Sequence, residues 1–211
     1  MAVKSVKDTM KKGVLFIVCG PSGVGKTTLA QHLLESCDRL TPSVSYTTRA
    51  PRKGEVDGVD YHFVDEDAFV EMRDRDQFAE WARVHGNFYG TPVAGILQAW
   101  KDDRDVLFDI DYQGASQLQE RFPEDARSVL VIPPSIQVLE KRLRGRATDA
   151  DAVIAQRLDA ARHELAQFEL YDYIIENDDF DVALQRLTAI YQACTQQMPL
   201  FRNRMMELLG E

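Results

Sequence analysis

The chain lacks a basic excess. Its 211 residues carry 25 Lys and Arg against 34 Asp and Glu, a formal net charge of -9. Broad nucleic-acid binding needs a basic face that displaces counterions from phosphates, so no nucleic-acid partner is expected and any anion site must be local. Long apolar runs are missing too. The longest is Val14 to Cys19, far below the roughly 20 residues of a membrane helix and too short for a secretory core segment, so no membrane partner is expected. Cysteine is scarce: Cys19, Cys37 and Cys194 form no Cys-x-x-Cys pair. That argues against a disulfide framework or a thiolate metal site and fits free thiols in a reducing, cytoplasmic setting. Internal repeats and low-complexity linkers are absent as well.

What is present suits a packed globular chain. The composition is 45% hydrophobic and 28% charged, which allows a buried core in one domain with small insertions. Residues 1–12, with four lysines, are expected to form a flexible N-terminal tail. Apolar runs at 14–19, 106–111, 128–134 and 172–177 read as buried strands. Helical spacing of apolar residues marks 27–37, 114–122, 135–144, 151–170 and 179–198. Strand then helix, repeated, predicts an α/β fold: a mainly parallel sheet with helices on both faces. Residues 42–93 break the rhythm with short strand-like pieces, one helix over 66–84 and a Gly- and Tyr-bearing loop. They are expected to form a small mixed α+β insertion carrying a second binding surface.

"GPSGVGKT" at 20–27 matches G-x-x-x-x-G-K-[ST]. It follows an apolar strand and opens a helix, the context that pattern needs. Gly20, Gly23 and Gly25, with Pro21, Ser22 and Val24 between them, let the backbone wrap closely and aim N–H groups inward. The helix N-terminus, with Thr28 in its first turn, adds partial positive charge. Lys26 can neutralise β/γ-phosphate oxygens and the Thr27 hydroxyl can ligate Mg²⁺. This predicts a nucleoside triphosphate site of the P-loop NTPase type.

A second anion site is suggested by "SVSYTTRAPRKGE" at 43–55. Arg49 and Arg52 are three apart, and in a tight bend both guanidinium forks can converge on one phosphate. Tyr61 and Tyr89 can add phenolic donors. Taken on composition alone, two exposed arginines in a turn are the favoured reading of the stretch.

The choice is made by a resemblance. "GPSGVGKT", "SVSYTTRAPRKGEVDGVDYHFV" (43–64), "FAEWARVHGNFYGT" (78–91), "VLFDIDYQG" (106–114), "RLRGRATD" (142–149) and "YDYIIENDDFDVAL" (171–184) together resemble the guanylate kinase family, in its order and spacing, across nearly all of 13–200. The resemblance implies a core over 13–41 and 94–211, a GMP-binding insertion over about 42–93 and a lid over about 142–156. It implies transfer of the γ-phosphoryl group of ATP to GMP, and to dGMP, with Mg²⁺. By the same resemblance Arg49, Arg52, Tyr61 and Tyr89 hold the GMP phosphate. Ser45, Glu80, Thr91 and Asp111 read the guanine, and Asp109 serves the Mg²⁺ and phosphate region. Lys26, Arg52, Arg146 and Arg157 serve catalysis, Arg142 belongs to the lid, and Asn177 and Asp178 lie near the adenine. Thr91 stands where the family often has Ser, and Ala147 where Gly is common.

Rival readings are weaker on the residues. A guanylate-kinase-like module that only binds phosphopeptides need not keep Lys26, Thr27 and the lid arginines. A nucleoside monophosphate kinase for another base would not need the Ser45 and Glu80 pair. A P-loop GTPase would need an Asn-Lys-x-Asp motif, which the chain does not contain. The oligomeric state is left open by the sequence.

Overall fold

The computed structural model describes residues 13–84, 86–145 and 150–210; the expected tail over 1–12 lies outside them. From the start the chain forms β1 (Leu15–Cys19), α1 (Lys26–Ser36) and the short β2 (Leu40–Pro42). The second lobe follows: β3 (Tyr46–Thr47), β4 (His62–Phe63), α2 (Glu66–Asp74), β5 (Phe78–Val84) and β6 (Asn87–Pro92). Helix α3 (Val93–Lys101) leads back to β7 (Asp105–Asp109), α4 (Tyr112–Arg121), β8 (Ala126–Ile132), α5 (Ile136–Arg144) and α6 (Asp151–Leu165). A 3-10 turn at Phe168–Leu170, β9 (Tyr173–Glu176), α7 (Phe180–Cys194) and α8 (Met198–Leu209) complete it. Among the described residues no helix is long and apolar enough to cross a membrane.

Five strands make one parallel sheet in the order β2-β7-β1-β8-β9. Its centre is β1, buried along its whole length. Period-two alternation divides that strand between two cores. Phe16 and Val18 pack with Leu29, Leu33 and Leu187 from α1 and α7. Leu15, Ile17 and Cys19 pack with Ile96, Trp100 and Leu118 from α3 and α4. The second sheet, β4-β3-β6-β5, is mixed and rests on Phe69, Phe78 and Phe88, whose rings stack at 4.5 and 5.2 Å about Phe69.

Five expectations need correction. The helix predicted over 66–84 ends at Asp74, and 78–84 is strand β5. Between them Asp76 takes φ 53, and Arg121 grips its carboxylate at 2.9 and 3.1 Å. Aspartate tolerates the left-handed region better than most residues, and a partner 45 residues away holds it there. The loop expected before residue 91 is largely strand β6, and α3 is a helix that the pattern reading leaves out. The run over 151–170 stops at Leu165, and that over 179–198 stops at Cys194 with a separate α8 beyond. The strand predicted over 106–111 ends at Asp109, so Asp111 lies past the sheet.

The parallel sheet is tied at its lower end by Asp105, which is fully buried. Its carboxylate accepts from the Val14 N–H at 2.7 Å, Arg39 Nε at 3.0 Å and the Tyr191 hydroxyl at 2.8 Å. Removing it leaves two buried donors without an acceptor. Asp105→Ala is therefore expected to lower stability by about 3 kcal/mol, read as a lower urea midpoint at unchanged slope. An unchanged midpoint would mean that water replaces the carboxylate.

Candidate active site

The turn between β1 and α1 is shaped by backbone that side chains cannot adopt. Gly20 has φ 144, and a Cβ there would lie 2.4 Å from the Val131 carbonyl oxygen. Gly25, at φ 96, is the N-cap of α1, and that helix has no side-chain cap and no acidic residue in its first turn. Its leading N–H groups are thus left for an anion, with the helix dipole unopposed. The turn closes through the Val24 N–H on the Pro21 carbonyl at 3.1 Å; Pro21 and Val24 are buried, while Ser22 and Thr28 are exposed.

Other elements hold the turn from behind. Asn177 Nδ2 donates to the Val24 carbonyl at 2.7 Å, and Arg142 Nη2 donates to the Asn177 carbonyl at 2.8 Å. Asn177 is buried and its side chain buttresses the loop; Asp178 beside it is exposed. Glu164 on α6 accepts the Gly20 N–H at 3.3 Å. Neither this contact nor Glu164 itself was foreseen. The available signal is its position on one helix face with Arg157, two turns apart.

At the mouth of the turn Lys26 Nζ lies 3.0 Å from Asp109 Oδ1 and donates to the Ile110 carbonyl at 3.3 Å. The Thr27 hydroxyl donates to Asp109 Oδ2 at 2.9 Å. Burial disfavours the charge on Lys26, but Asp109 above all, with Glu164, outweighs it and keeps the ammonium protonated. Asp109 therefore meets the turn and the first residues of α1.

From there a cleft of ≈ 380 Å³ opens between the two sheets, lined by Lys26, Ser45, Arg49, Arg52, Tyr61, Glu80, Tyr89, Asp109 and Asp111. Arg49 is held in place by Glu55, at 3.0 Å from Nη1 and 2.8 Å from Nη2, and its Nη1 also donates to the Ala50 carbonyl at 2.8 Å. Tyr61 lies under its guanidinium, 5.3 Å to the ring centre. The Arg52 N–H binds the same Glu55 carboxylate at 2.7 Å. Glu55, drawn below its ordinary pKa by Arg49 and then by the Arg52 N–H, is a second residue not foreseen. It is the single acid in the cationic stretch 43–55, which is the signal for it.

Glu80 sits on β5 and is 4% exposed. The pairing of β5 with β6 slips between Phe78 and Glu80, a bulge that re-aims the side chain. Its Oε1 accepts from the Thr91 hydroxyl at 2.6 Å and the Thr91 N–H at 3.0 Å. Thr91 is buried, and its hydroxyl lies 2.9 Å from that of Ser45. So Thr91 steadies Glu80 and Ser45 from behind, and does not itself line the cleft. Asp111 lines the cleft and also caps α4, accepting from the Gln113 and Gly114 N–H groups at 3.1 and 3.2 Å. Arg157 stands on α6 outside the cleft lining. Arg146 and Ala147 lie outside the described residues.

The chain matches the family model described as guanylate kinase over residues 12–194. It is 51% identical over 181 residues to a guanylate kinase of Nitratidesulfovibrio vulgaris, covering 86% of this chain and 87% of that one. It is 48% identical over 199 residues to a guanylate kinase of Thiobacillus denitrificans, covering 94% and 95%. Its fold is similar to the crystal structure of guanylate kinase from Anaplasma phagocytophilum, with TM-score 0.75 and 33% identity over 93% of this chain and 94% of that one.

Burial pushes the Glu80 carboxyl up to about 7; the Thr91 bonds oppose that shift, and the negative charge of Asp111 adds to it. An unfolded glutamate titrates near 4.3. Between those values the folded protein holds a proton that the unfolded chain has lost, so stability falls as pH rises from about 4.5 to 7 and levels off above. That contribution is about 3 kcal/mol across the window. Urea midpoints from pH 5 to 8 should show the decline, and Glu80→Gln should flatten it; parallel profiles for the two proteins would contradict it.

Proposed function

The chain belongs to the guanylate kinase family, and from that premise we propose how its cleft carries the transfer of the γ-phosphoryl group from ATP to GMP. The protein is an ATP:GMP phosphotransferase and yields ADP and GDP. One observation carries the residue map: a single cleft is lined both by Lys26 at the uncapped helix end and by Arg49, Arg52 and Glu80. Two phosphate-bearing ligands can then lie end to end, with their phosphates meeting between the lobes.

In this reading the turn 20–25 and the first turn of α1, with Thr27 and Thr28, cradle the ATP phosphates. Arg49 and Arg52, with the phenols of Tyr61 and Tyr89, grip the GMP phosphate. An oxygen of that phosphate attacks the γ-phosphorus in line, and no covalent enzyme intermediate is required. Lys26 sits where charge builds between the two ligands. Arg142 and Arg157, with Arg146 of the lid, add positive charge to the transferring group. These groups act by position and field, worth most where water is shut out.

Guanine presents N1–H and N2–H₂ as donors beside the O6 acceptor. Glu80 accepts from both donors, Ser45 donates to O6, and Thr91 with Asp111 keeps the edge in register. Adenine would set its N1 acceptor against the carboxylate, and sites that leave a buried polar group unpaired discriminate by roughly 10⁴-fold or more. The assigned residues hold base and phosphate and none is assigned to the ribose 2′-hydroxyl, so dGMP is a substrate too.

Thr27 Oγ1 and Asp109 Oδ2 are hard oxygen donors 2.9 Å apart, which suits Mg²⁺, a cation that takes one or two protein oxygens and completes its shell with water and phosphate. Bound there with ATP, Mg²⁺ would neutralise β- and γ-phosphate charge. The unpaired Cys19, Cys37 and Cys194 support a reducing, cytoplasmic setting.

The test is ADP release with Mg²⁺ and ATP, offering GMP, dGMP, AMP, CMP, UMP and dTMP in turn. GMP should be fastest and dGMP active; faster turnover with AMP would remove Glu80 from the base site. Arg52→Met should lower kcat/KM for GMP by about 100-fold or more while ATP affinity changes less than about twofold. A collapse of ATP affinity would move Arg52 to the donor side.

A further inference from the structure

Helix α4 presents one stripe of residues to strand β5. Positions 111, 114, 117 and 121 fall on one helical face. At its head Asp111 caps the helix and lines the cleft. One turn on, Gly114 brings the helix backbone against the base-reading carboxylate: a Cβ there would lie 2.7 Å from Glu80 Oε2. Gln117 comes next. Its Oε1 accepts the Trp81 N–H at 3.1 Å, and its Nε2 donates to the Trp81 carbonyl at 2.8 Å. Finally Arg121 Nη1 donates to the Phe78 carbonyl at 2.9 Å while the same guanidinium holds Asp76.

Strand β5 ends the mixed sheet and, among the described residues, pairs only with β6. The Gln117 amide supplies the donor and acceptor that a further strand would supply on its other edge. Trp81 and Phe78 stand on either side of Glu80, and the bulge lies between Phe78 and Glu80. A bulge loosens local pairing, so the backbone that aims Glu80 depends on what grips it from outside the sheet.

We propose that Gln117 and Arg121 are positioning residues for base selectivity, clamping β5 to the core helix so that the Glu80 carboxylate meets the donor edge of guanine. Neither side chain lines the nucleotide cleft. The chemistry at 117 is specific: a primary amide offers one acceptor and one donor, a carboxylate offers acceptors only, and leucine offers neither. The inference rests on Glu80 as the guanine acceptor, as read above.

The experiment compares GMP with IMP, which lacks the N2 amine and so engages only half of the Glu80 contact. Full-length protein, Gln117→Leu, Gln117→Glu and Arg121→Met are assayed for kcat/KM with each nucleotide, KM for ATP and thermal midpoint. For Gln117→Leu the GMP-to-IMP ratio is expected to fall about tenfold or more, with KM for ATP within about twofold. Gln117→Glu, which keeps the bond to the Trp81 N–H, should fall between. If Gln117→Leu does not fold, Gln117→Glu and Arg121→Met carry the same comparison. Equal losses with GMP and IMP, or an unchanged ratio, would overturn the proposal and leave a merely structural clamp. Failure of the unaltered protein to prefer GMP over IMP would instead overturn the reading of Glu80 on which it rests.

Discussion

Lys26 lies 3.0 Å from Asp109, and Arg49 is gripped at two nitrogens by Glu55. This pairing of Lys26 with Asp109 and of Arg49 with Glu55 is what the cleft depends on. A chain of formal net charge -9 cannot attract polyanions by overall field; it has to fix a few cations in one cleft. Unpaired, those cations would repel one another and sample many rotamers. A resident carboxylate removes both problems. Fixed charges need little rearrangement as the transferring group becomes more negative. Arginine suits this arrangement, because a guanidinium has five N–H donors and its bonds to Glu55 and Ala50 occupy three of them.

On the proposed residue map the two lobes recognise their ligands by different means, and one stretch of chain serves both. The phosphate seat is made mostly of backbone: an uncapped helix end, a glycine turn, and supports from Asn177, Arg142 and Glu164 behind it. The base reader proposed above, Glu80, is a single buried side chain on a bulged strand. Between them, residues 109–121 supply Asp109 to Lys26 and Thr27, Asp111 to the helix cap, Gly114 as the floor under Glu80, and Gln117 with Arg121 to β5. Because α4 begins directly beyond the end of β7, the base reader is referenced to the same sheet that sets the phosphate seat. This places both ligands in one frame without a long chain of intermediates.

What could be read from the sequence was local. The core strands are continuous apolar runs, and the phosphate turn is a contiguous motif whose residue types follow from backbone geometry. What escaped depends on contacts far apart in the chain. No Gly or Pro marks the break at Asp76; the left-handed turn is secured by Arg121, so 78–84 passes for helix. The alternation in β5 is blurred because Phe78, Ala79 and Glu80 are all buried, the mark of its bulge. At three residues β2 is too short to show a period. Helix α3 did carry a signal, Ile96, Ala99 and Trp100 at helical spacing and buried on one side. Glu80 illustrates the other limit: as a lone glutamate it reads as an exposed charge, and only its place in the 78–91 resemblance singles it out.

With Glu80 on the guanine edge as proposed, its burial explains how selectivity would arise from an apparently unfavourable choice. A carboxylate with 4% exposure has lost most of its water, and the two Thr91 bonds engage one of its oxygens only. The other, Oε2, lies against Gly114. The ionised form has therefore lost hydration, and that desolvation is the reason its pKa rises to about 7; donors from a ligand would replace the lost water. A purine edge with two adjacent N–H groups relieves that deficit; an edge with an acceptor at the same point worsens it. The discrimination thus comes less from the strength of the correct hydrogen bonds than from the cost of leaving a desolvated carboxylate without them. A fully hydrated glutamate at the same position would bind guanine but would reject adenine weakly, since water would fill the vacant bonds. Dryness and rigidity at position 80 are for this reason one requirement, met together by the bulge, by Thr91, and by the face of α4 packed beneath.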